Sequence, residues 1–273
     1  MAAGTNYRSG RLPRGLLAGA AAVSLLAGCG GNGGSSGNTA AGSSTSSAAS
    51  SSASGPKESP LSKGLLSPSA FGSQANVVTM TLQQFQQATA GKLSQAAGLK
   101  VDPPQCADAL KSTHPDTSKV KDLVAEAATT QSGGQGTVTV EAIATGDLVQ
   151  GATGKLDDAL KNCPKVTVSS PKIGQATVEF TKIDVSSIGG KAVALQVTTT
   201  ITPPGRSAVT VPALIGAVPD GDRLVLLINA VANNPNAAAQ SSGAAQPSVA
   251  PPDTAAFTSL LQKAYTTEKN ALD

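Results

Sequence analysis

From residue 137 onward the chain alternates apolar and polar positions with a period of two. In Thr137-Val138-Thr139-Val140-Glu141-Ala142-Ile143, the side chains of Val138, Val140 and Ala142 share one face, which is the pattern of a half-buried strand. Residues 166–168 open a second strand. Gly174 then turns the chain into Ala176, Val178 and Phe180, alternating with Thr177, Glu179 and Thr181. Gly189-Gly190 is a hairpin signal, and residues 192–201 that follow place Val193, Leu195, Val197 and Ile201 together. Pro203-Pro204-Gly205 turns the chain again, into a strand over residues 209–218. Pro219-Asp220-Gly221-Asp222 is a turn with a mechanism, because proline presets φ and glycine accepts positive φ. Residues 224–228 are continuously apolar, as expected of a central strand buried on both faces.

Helical spacing interrupts this pattern. Leu82, Phe85, Ala88 and Leu93 predict a helix that starts near Thr81 and ends at Gly98. A short helical turn after Pro103-Pro104 carries Cys106, Ala109 and Leu110. A helix around residues 156–160 delivers Cys163. Residues 233–252 have no apolar period and predict a long surface loop. The last helix is capped by Asp253, and its Phe257, Leu260, Leu261, Ala264 and Tyr265 form one stripe. Five to seven strands with helices at both ends and one inserted predict an α+β fold. The expected architecture is a largely antiparallel sheet with helices packed on one face, forming a single domain over residues 61–273.

The N-terminus has a different pattern. Arg8, Arg11 and Arg14 precede an apolar run over residues 16–27 that is too short to span a bilayer. A basic region, an apolar run and small residues make a secretory signal. Leu26-Ala27-Gly28-Cys29 resembles the lipobox of bacterial lipoproteins. That resemblance implies cleavage of residues 1–28 and lipidation (palmitate among the acyl groups) of Cys29 as the first mature residue. It also implies a cell-membrane address facing the periplasm or exterior, with the lipid on Cys29 as the contact to the membrane. Residues 30–56 are Gly, Ser, Ala, Thr, Asn and Pro without charge. They bury too little apolar surface to offset their ordering entropy, so residues 29–60 read as a disordered tether with a reach of roughly 30 Å.

Removing the leader changes the charge. The whole chain carries 20 Lys+Arg against 17 Asp+Glu, and the three leader arginines account for the excess. A formally neutral mature chain gives no electrostatic case for nucleic acid. Only Arg206 and Arg223 remain for bidentate anion recognition. With Cys29 acylated, Cys106 and Cys163 are an even pair in an oxidising compartment and predict a disulfide. Such a long closed loop contributes roughly 4 kcal/mol by chain entropy. A metal site on the two cysteines would need two more soft ligands, and His114 is the one histidine in the chain. No metal and no cofactor are expected.

Candidate chemistry is sparse. His114 sits in the polar turn Ser112-Thr113-His114-Pro115-Asp116, which reads as a solvated loop rather than a general base or a triad. Asp157-Asp158 and Asp220…Asp222 are close acidic pairs; the first reads as a solvated helix face and the second as turn chemistry. Glu141 stands among apolar neighbours. The alternation places it on the outward face of a half-exposed strand, and the alternative is a carboxylate aimed into a ligand cleft. Val178, Phe180, Val193, Leu195 and Val197, facing Phe257 and Leu260, form either a packed core or the lining of a lipid-sized cavity. No glycine loop opens a helix after a strand, so phosphate-cradle motifs are absent. No catalytic set is expected, and the chain reads as non-enzymatic.

Several segments together resemble the extracellular sensor-type domain of some mycobacterial Ser/Thr kinases, a domain also found in free mycobacterial lipoproteins. They are Leu65-Leu66-Ser67-Pro68, Asp102-Pro103-Pro104-Gln105-Cys106, Val140-Glu141-Ala142-Ile143, Leu160-Lys161-Asn162-Cys163 and the strand over residues 224–229 with its terminal helix. The resemblance implies an antiparallel sheet with helices, a cleft and disulfides. The family domain typically holds two disulfides, whereas this chain has cysteines for Cys106–Cys163 alone. The function to expect is a membrane-anchored binding or sensor-type domain whose ligand is unknown and whose partner is a hydrophobic small molecule or an envelope protein. The alternatives are a carrier of a lipid or other hydrophobic molecule, and a hydrolytic enzyme.

Overall fold

The alternating segments join into one antiparallel sheet of nine strands. The computed structural model describes residues 59–84, 99–107, 119–132, 135–147, 149, 152–170, 174–189, 191–202, 204, 208–232 and 251–273. The strands are β1 (Asn76–Thr81), β2 (Lys100–Asp102), β3 (Val120–Ser132), β4 (Gln135–Gly146), β5 (Lys165–Ser170), β6 (Gly174–Ile183), β7 (Val193–Thr202), β8 (Val209–Asp220) and β9 (Arg223–Ala232). Two helices complete the fold, α1 (Ala152–Asn162) and α2 (Thr254–Leu272). The spatial order is β1-β3-β4-β9-β8-β7-β6-β5-β2. Strands β5 to β9 are a meander. Helix α1 carries the chain from β4 to β5, and β9 returns to pair with β4.

Two features differ from the sequence expectation. The first is the strand count, nine instead of five to seven, because β1, β2 and β3 carry weak strand signals. Strand β3 includes Val124-Ala125-Glu126-Ala127-Ala128, whose alanines and glutamate favour helix. It pairs with β1 on one side and β4 on the other, and that pairing overrides the local preference. The second is the helix placement, which is on both faces and not on one. Phe257, Leu261 and Ala264 of α2 pack on Ala194, Leu214, Val218, Val225 and Leu227. Leu156 and Leu160 of α1 pack on the opposite face, against Val178, Phe180, Val193, Leu195, Val197 and Ile215. The aliphatic stripe therefore faces α1, and Phe257 lies on the other side of the sheet from it. Parity of the β7 residues decides this: Ala194 points to α2, while Val193 and Leu195 point to α1.

Other elements follow the sequence pattern. Asp253 caps α2 by accepting from the backbone N–H groups of Ala255 and Ala256 at 2.9 and 3.1 Å. Gly221 turns β8 into β9 with φ 59°, a conformation that favours glycine. Strand β9 is internal, with Leu224 buried on the α1 side and Val225 and Leu227 on the α2 side. The Gly189-Gly190 hairpin is longer than expected, because a 3-10 turn over Ser186–Ile188 fills the β6–β7 connection. Cys106 and Cys163 are bonded, with S–S 2.03 Å and Cα–Cα 5.8 Å. They share a small apolar cluster with Val166 and Val168. Of the predicted first helix, residues 82–84 are helical and its remainder lies outside the described residues, as do Cys29, the tether to residue 58, His114 and the loop over residues 233–250. Among the described residues no helix is long and apolar enough to cross a membrane.

Candidate functional site

Two places combine polar chemistry with a defined geometry. The first lies on the α2 face. Glu126 and Glu141 are direct cross-strand partners of β3 and β4, so their side chains leave the sheet side by side. Both are buried, at 3% and 0% exposure. Glu141 is thus not on an outward strand face, because the segment over residues 59–66 covers it. A 3-10 turn, Pro60–Gly64, runs across the sheet there, with Leu61 packed on Val124 and Ile143. Leu66 inserts into the α2 core. The Leu66 backbone N–H donates to Glu141 Oε2 at 3.0 Å, and Ser59 Oγ donates to Asp122 Oδ2 at 2.5 Å.

The electrostatics of the pair follow from its burial. Desolvation disfavours the charged carboxylate and pushes Glu141 up to about 8; the Leu66 N–H opposes this, and the hydrogen bond and charge of Glu126 add to it. Burial likewise raises Glu126, and its hydrogen bond to Glu141 partly offsets the rise. The remaining oxygen of each, Oε1, has no protein donor. Ionising both of two adjacent buried carboxyls is costly, so burial favours the protonated form of Glu141 near neutral pH. Paired carboxyls of this kind run acid–base chemistry elsewhere. Here residues 59–66 lie over them, and their contacts are with this chain.

A related cluster closes the same face. Glu268 of α2 is fully buried and bound by Arg223 of β9, which also holds Asp220, the C-terminal Asp273 and, at 3.4 Å, the carbonyl oxygen of Leu272. Burial raises Glu268, and the guanidinium pulls the other way. Asp220 is therefore more than a turn residue, while Asp222 is exposed in the turn itself.

The second place is a groove of about 440 Å³ between α1 and β6. Leu160 and Phe180 line it together with Asp157, Asp158, Lys161 and Lys182. Lys182 Nζ pairs with Asp157 Oδ1 at 2.8 Å, both side chains being about half exposed at 62% and 45%. Such an exposed pair contributes little to stability. Phe180 also packs against the disulfide cluster, so the groove wall is fixed by Cys106–Cys163. Among the described residues no three His, Cys, Asp or Glu side chains converge as a metal site would require.

Sequence reasoning named Glu141, Asp157, Asp158 and Phe180 but did not bring them into these groupings, and it missed Glu126, Glu268 and Lys182. A signal for Glu141 was present: it shares strand parity with the apolar Ile143, which is fully buried.

No family model matches the chain, and no curated protein matches it. Among solved structures it is similar to an uncharacterized protein (Rv0999 ortholog) from Mycobacterium smegmatis. That match has 14% identity and a TM-score of 0.43, over 74% of this chain and 92% of that one. It is also similar to the extracellular domain of PknH from Mycobacterium tuberculosis, with 12% identity and a TM-score of 0.40, over 75% of this chain and 94% of that one.

Proposed function

We propose that this chain is a non-catalytic binding module of the cell envelope. In this reading residues 1–28 are removed, Cys29 carries the lipid, the stretch up to residue 58 is the tether and the chain from Ser59, which is bonded to Asp122, is the binding domain. The ligand is a small amphipathic molecule with charges of both signs, received in the groove between α1 and β6. The observation that carries this is the make-up of that groove. It has the volume of a ligand site, Leu160 and Phe180 as apolar surface, and two carboxylates and two ammonium groups around them. A carrier needs a hollow interior, and the stripe that would line it is filled by Leu156 and Leu160. The paired carboxyls that hydrolysis would call on lie beneath residues 59–66.

The test is a titration of the isotope-labelled mature chain, followed by NMR, with zwitterionic dipeptides and with glycerophosphoethanolamine. Saturable shifts grouped at Asp157, Leu160, Lys161, Phe180 and Lys182 support the groove, and no shift at millimolar ligand refutes it for these classes. Turnover of a peptide, ester or phosphate substrate that a point mutation abolishes would refute a non-catalytic role. Fractionation of cells making Cys29→Ala checks the anchor: the protein should leave the membrane fraction.

A further inference from the structure

The buried acid pair lies at the point where residues 59–66 cross onto the sheet. Three attachments hold that segment. Leu61 and Leu66 bury apolar side chains, Ser59 bonds Asp122, and the Leu66 N–H bonds Glu141. The fit is tight. A Cβ on Gly64 would stand 2.9 Å from Ile143 Cδ1 and 3.3 Å from the Cα of Glu268. The Leu66 bond ends on a carboxyl whose neighbour in register is a second carboxyl, and Oε1 of each lacks a donor. One proton between the two is what makes the arrangement compatible with burial. Residues 59–66 are also the first described segment after the stretch that reads as the tether.

We propose that Glu126 and Glu141 form a proton-operated latch, which holds residues 59–66 on the sheet while the pair keeps its shared proton and releases them when the proton leaves. This is independent of the groove reading. Loss of the proton leaves two adjacent anions under a segment that offers them a single N–H donor. Moving the segment away admits water to both. Few other charges oppose or imitate the effect. The segment itself carries Lys63, whose side chain is exposed. Strand β3 contributes Asp122, which is bound to Ser59, and β9 sets Leu227 opposite Glu141. From α2 comes Glu268, engaged by Arg223, which also holds Asp220 and Asp273. The turn Pro68–Phe71 carries no charge.

The direction follows from linkage. The docked state holds a proton that the undocked, solvated carboxyls release at the ordinary glutamate value of 4.5. Between that value and about 8, where the docked Glu141 gives up its proton, the opening constant rises about tenfold per pH unit and then levels off.

Trypsin cleavage after Lys63 in the full chain, set against cleavage after Lys182 in β6, reads the opening of the segment separately from unfolding of the sheet. Between pH 6 and pH 8 this ratio should rise by about fiftyfold in the wild type, as release of one proton with a midpoint near 8 requires, and flatten above pH 8. In Glu126→Gln the amide donates to Glu141 and the Glu126 charge is gone, so burial alone holds the Glu141 proton and the rise should be clearly smaller. A level ratio in the wild type, an equal rise in Glu126→Gln, or a parallel rise of cleavage after Lys182 would overturn the latch. Should Glu126→Gln fail to fold, carboxyl ¹³C shifts of the wild type decide. A step near pH 8 shared by Glu141 and the Leu66 amide supports the latch. Both carboxyls titrating in the ordinary range would overturn it.

Discussion

Gly216 of β8 lies directly beneath Leu261 of α2, so close that a Cβ on it would stand 2.5 Å from Leu261 Cδ2 and 3.2 Å from Phe257 Cζ. Leu261 is fully buried and Phe257 nearly so, at 0% and 3% exposure, so neither has free space into which to retreat. The absence of a side chain at one strand position thus sets how closely the terminal helix approaches the sheet. Gly216→Ala should lower stability by about 1–3 kcal/mol through overpacking, measured by chemical denaturation. Pairing the change with Leu261→Ala should recover part of the loss, because the two positions share the same space. A loss in the double variant equal to the sum of the two single losses would show that the contact does not govern the packing.

The Cys106–Cys163 bridge closes a loop of sequence separation 57 and ties the short turn after β2 to the link between α1 and β5. Intact protein should show no alkylatable thiol from these residues until it is reduced. Cys163→Ser should cost roughly 2–5 kcal/mol in a denaturant titration. The groove signals of Phe180 should broaden in the same variant, since that ring packs on the bridge.

Stability should fall as pH rises. Glu141 is raised to about 8 in the folded chain against 4.5 for an ordinary glutamate, so the folded state holds a proton that the unfolded chain releases. The stability tied to it is complete below pH 4.5, is lost progressively above it, and levels off past pH 8. Glu126 is raised as well, by burial, and acts in the same direction. The melting temperature should therefore drop between pH 5.5 and pH 8.5, and Glu141→Gln should flatten that drop. An unchanged slope in the variant would assign the effect to other groups.

Arg223 is the cation for a fully buried carboxylate. Arg223→Ala would leave Glu268 buried without its partner and free the C-terminal end of α2 from β8 and β9. The expected cost is on the order of 3 kcal/mol, read by thermal or denaturant unfolding. Adding Glu268→Leu to Arg223→Ala should restore much of it, because the apolar side chain needs no counter-charge. Hydrogen exchange of the last turn of α2 should rise in the single variant and recover in the pair.

Much of the fold is legible in the residue pattern. Strands β4 to β9 announce themselves by alternation bounded by Gly174, Gly205 and Gly221, and α2 by its stripe and its Asp253 cap. Local patterns of this kind arise because one face of an element meets apolar neighbours and the other does not. The disulfide was legible from cysteine parity and compartment alone. Strand β3 was not. Its alanines and Glu126 suit a helix, and only its two neighbours make it a strand.

The candidate site was less legible than the fold, for a related reason. Alternation says that Glu141 and Ala142 face opposite ways, but not whether the side of Glu141 is wet. The segment 59–66 and α2, distant in sequence, cover that side, and register puts Glu126 beside Glu141. The groove likewise needs α1 to lie across β6, so that Asp157 and Lys182 meet over 25 residues of sequence. What the sequence by itself determined is most of the elements from β4 onward, their alternating faces and the cysteine pair, because those depend on neighbours within a few residues. What only the tertiary structure decided is which face each helix covers, which charges are buried and which carboxyls share a proton. Those depend on distances between segments far apart in the chain, and burial acts on charge only once the covering segments are in place.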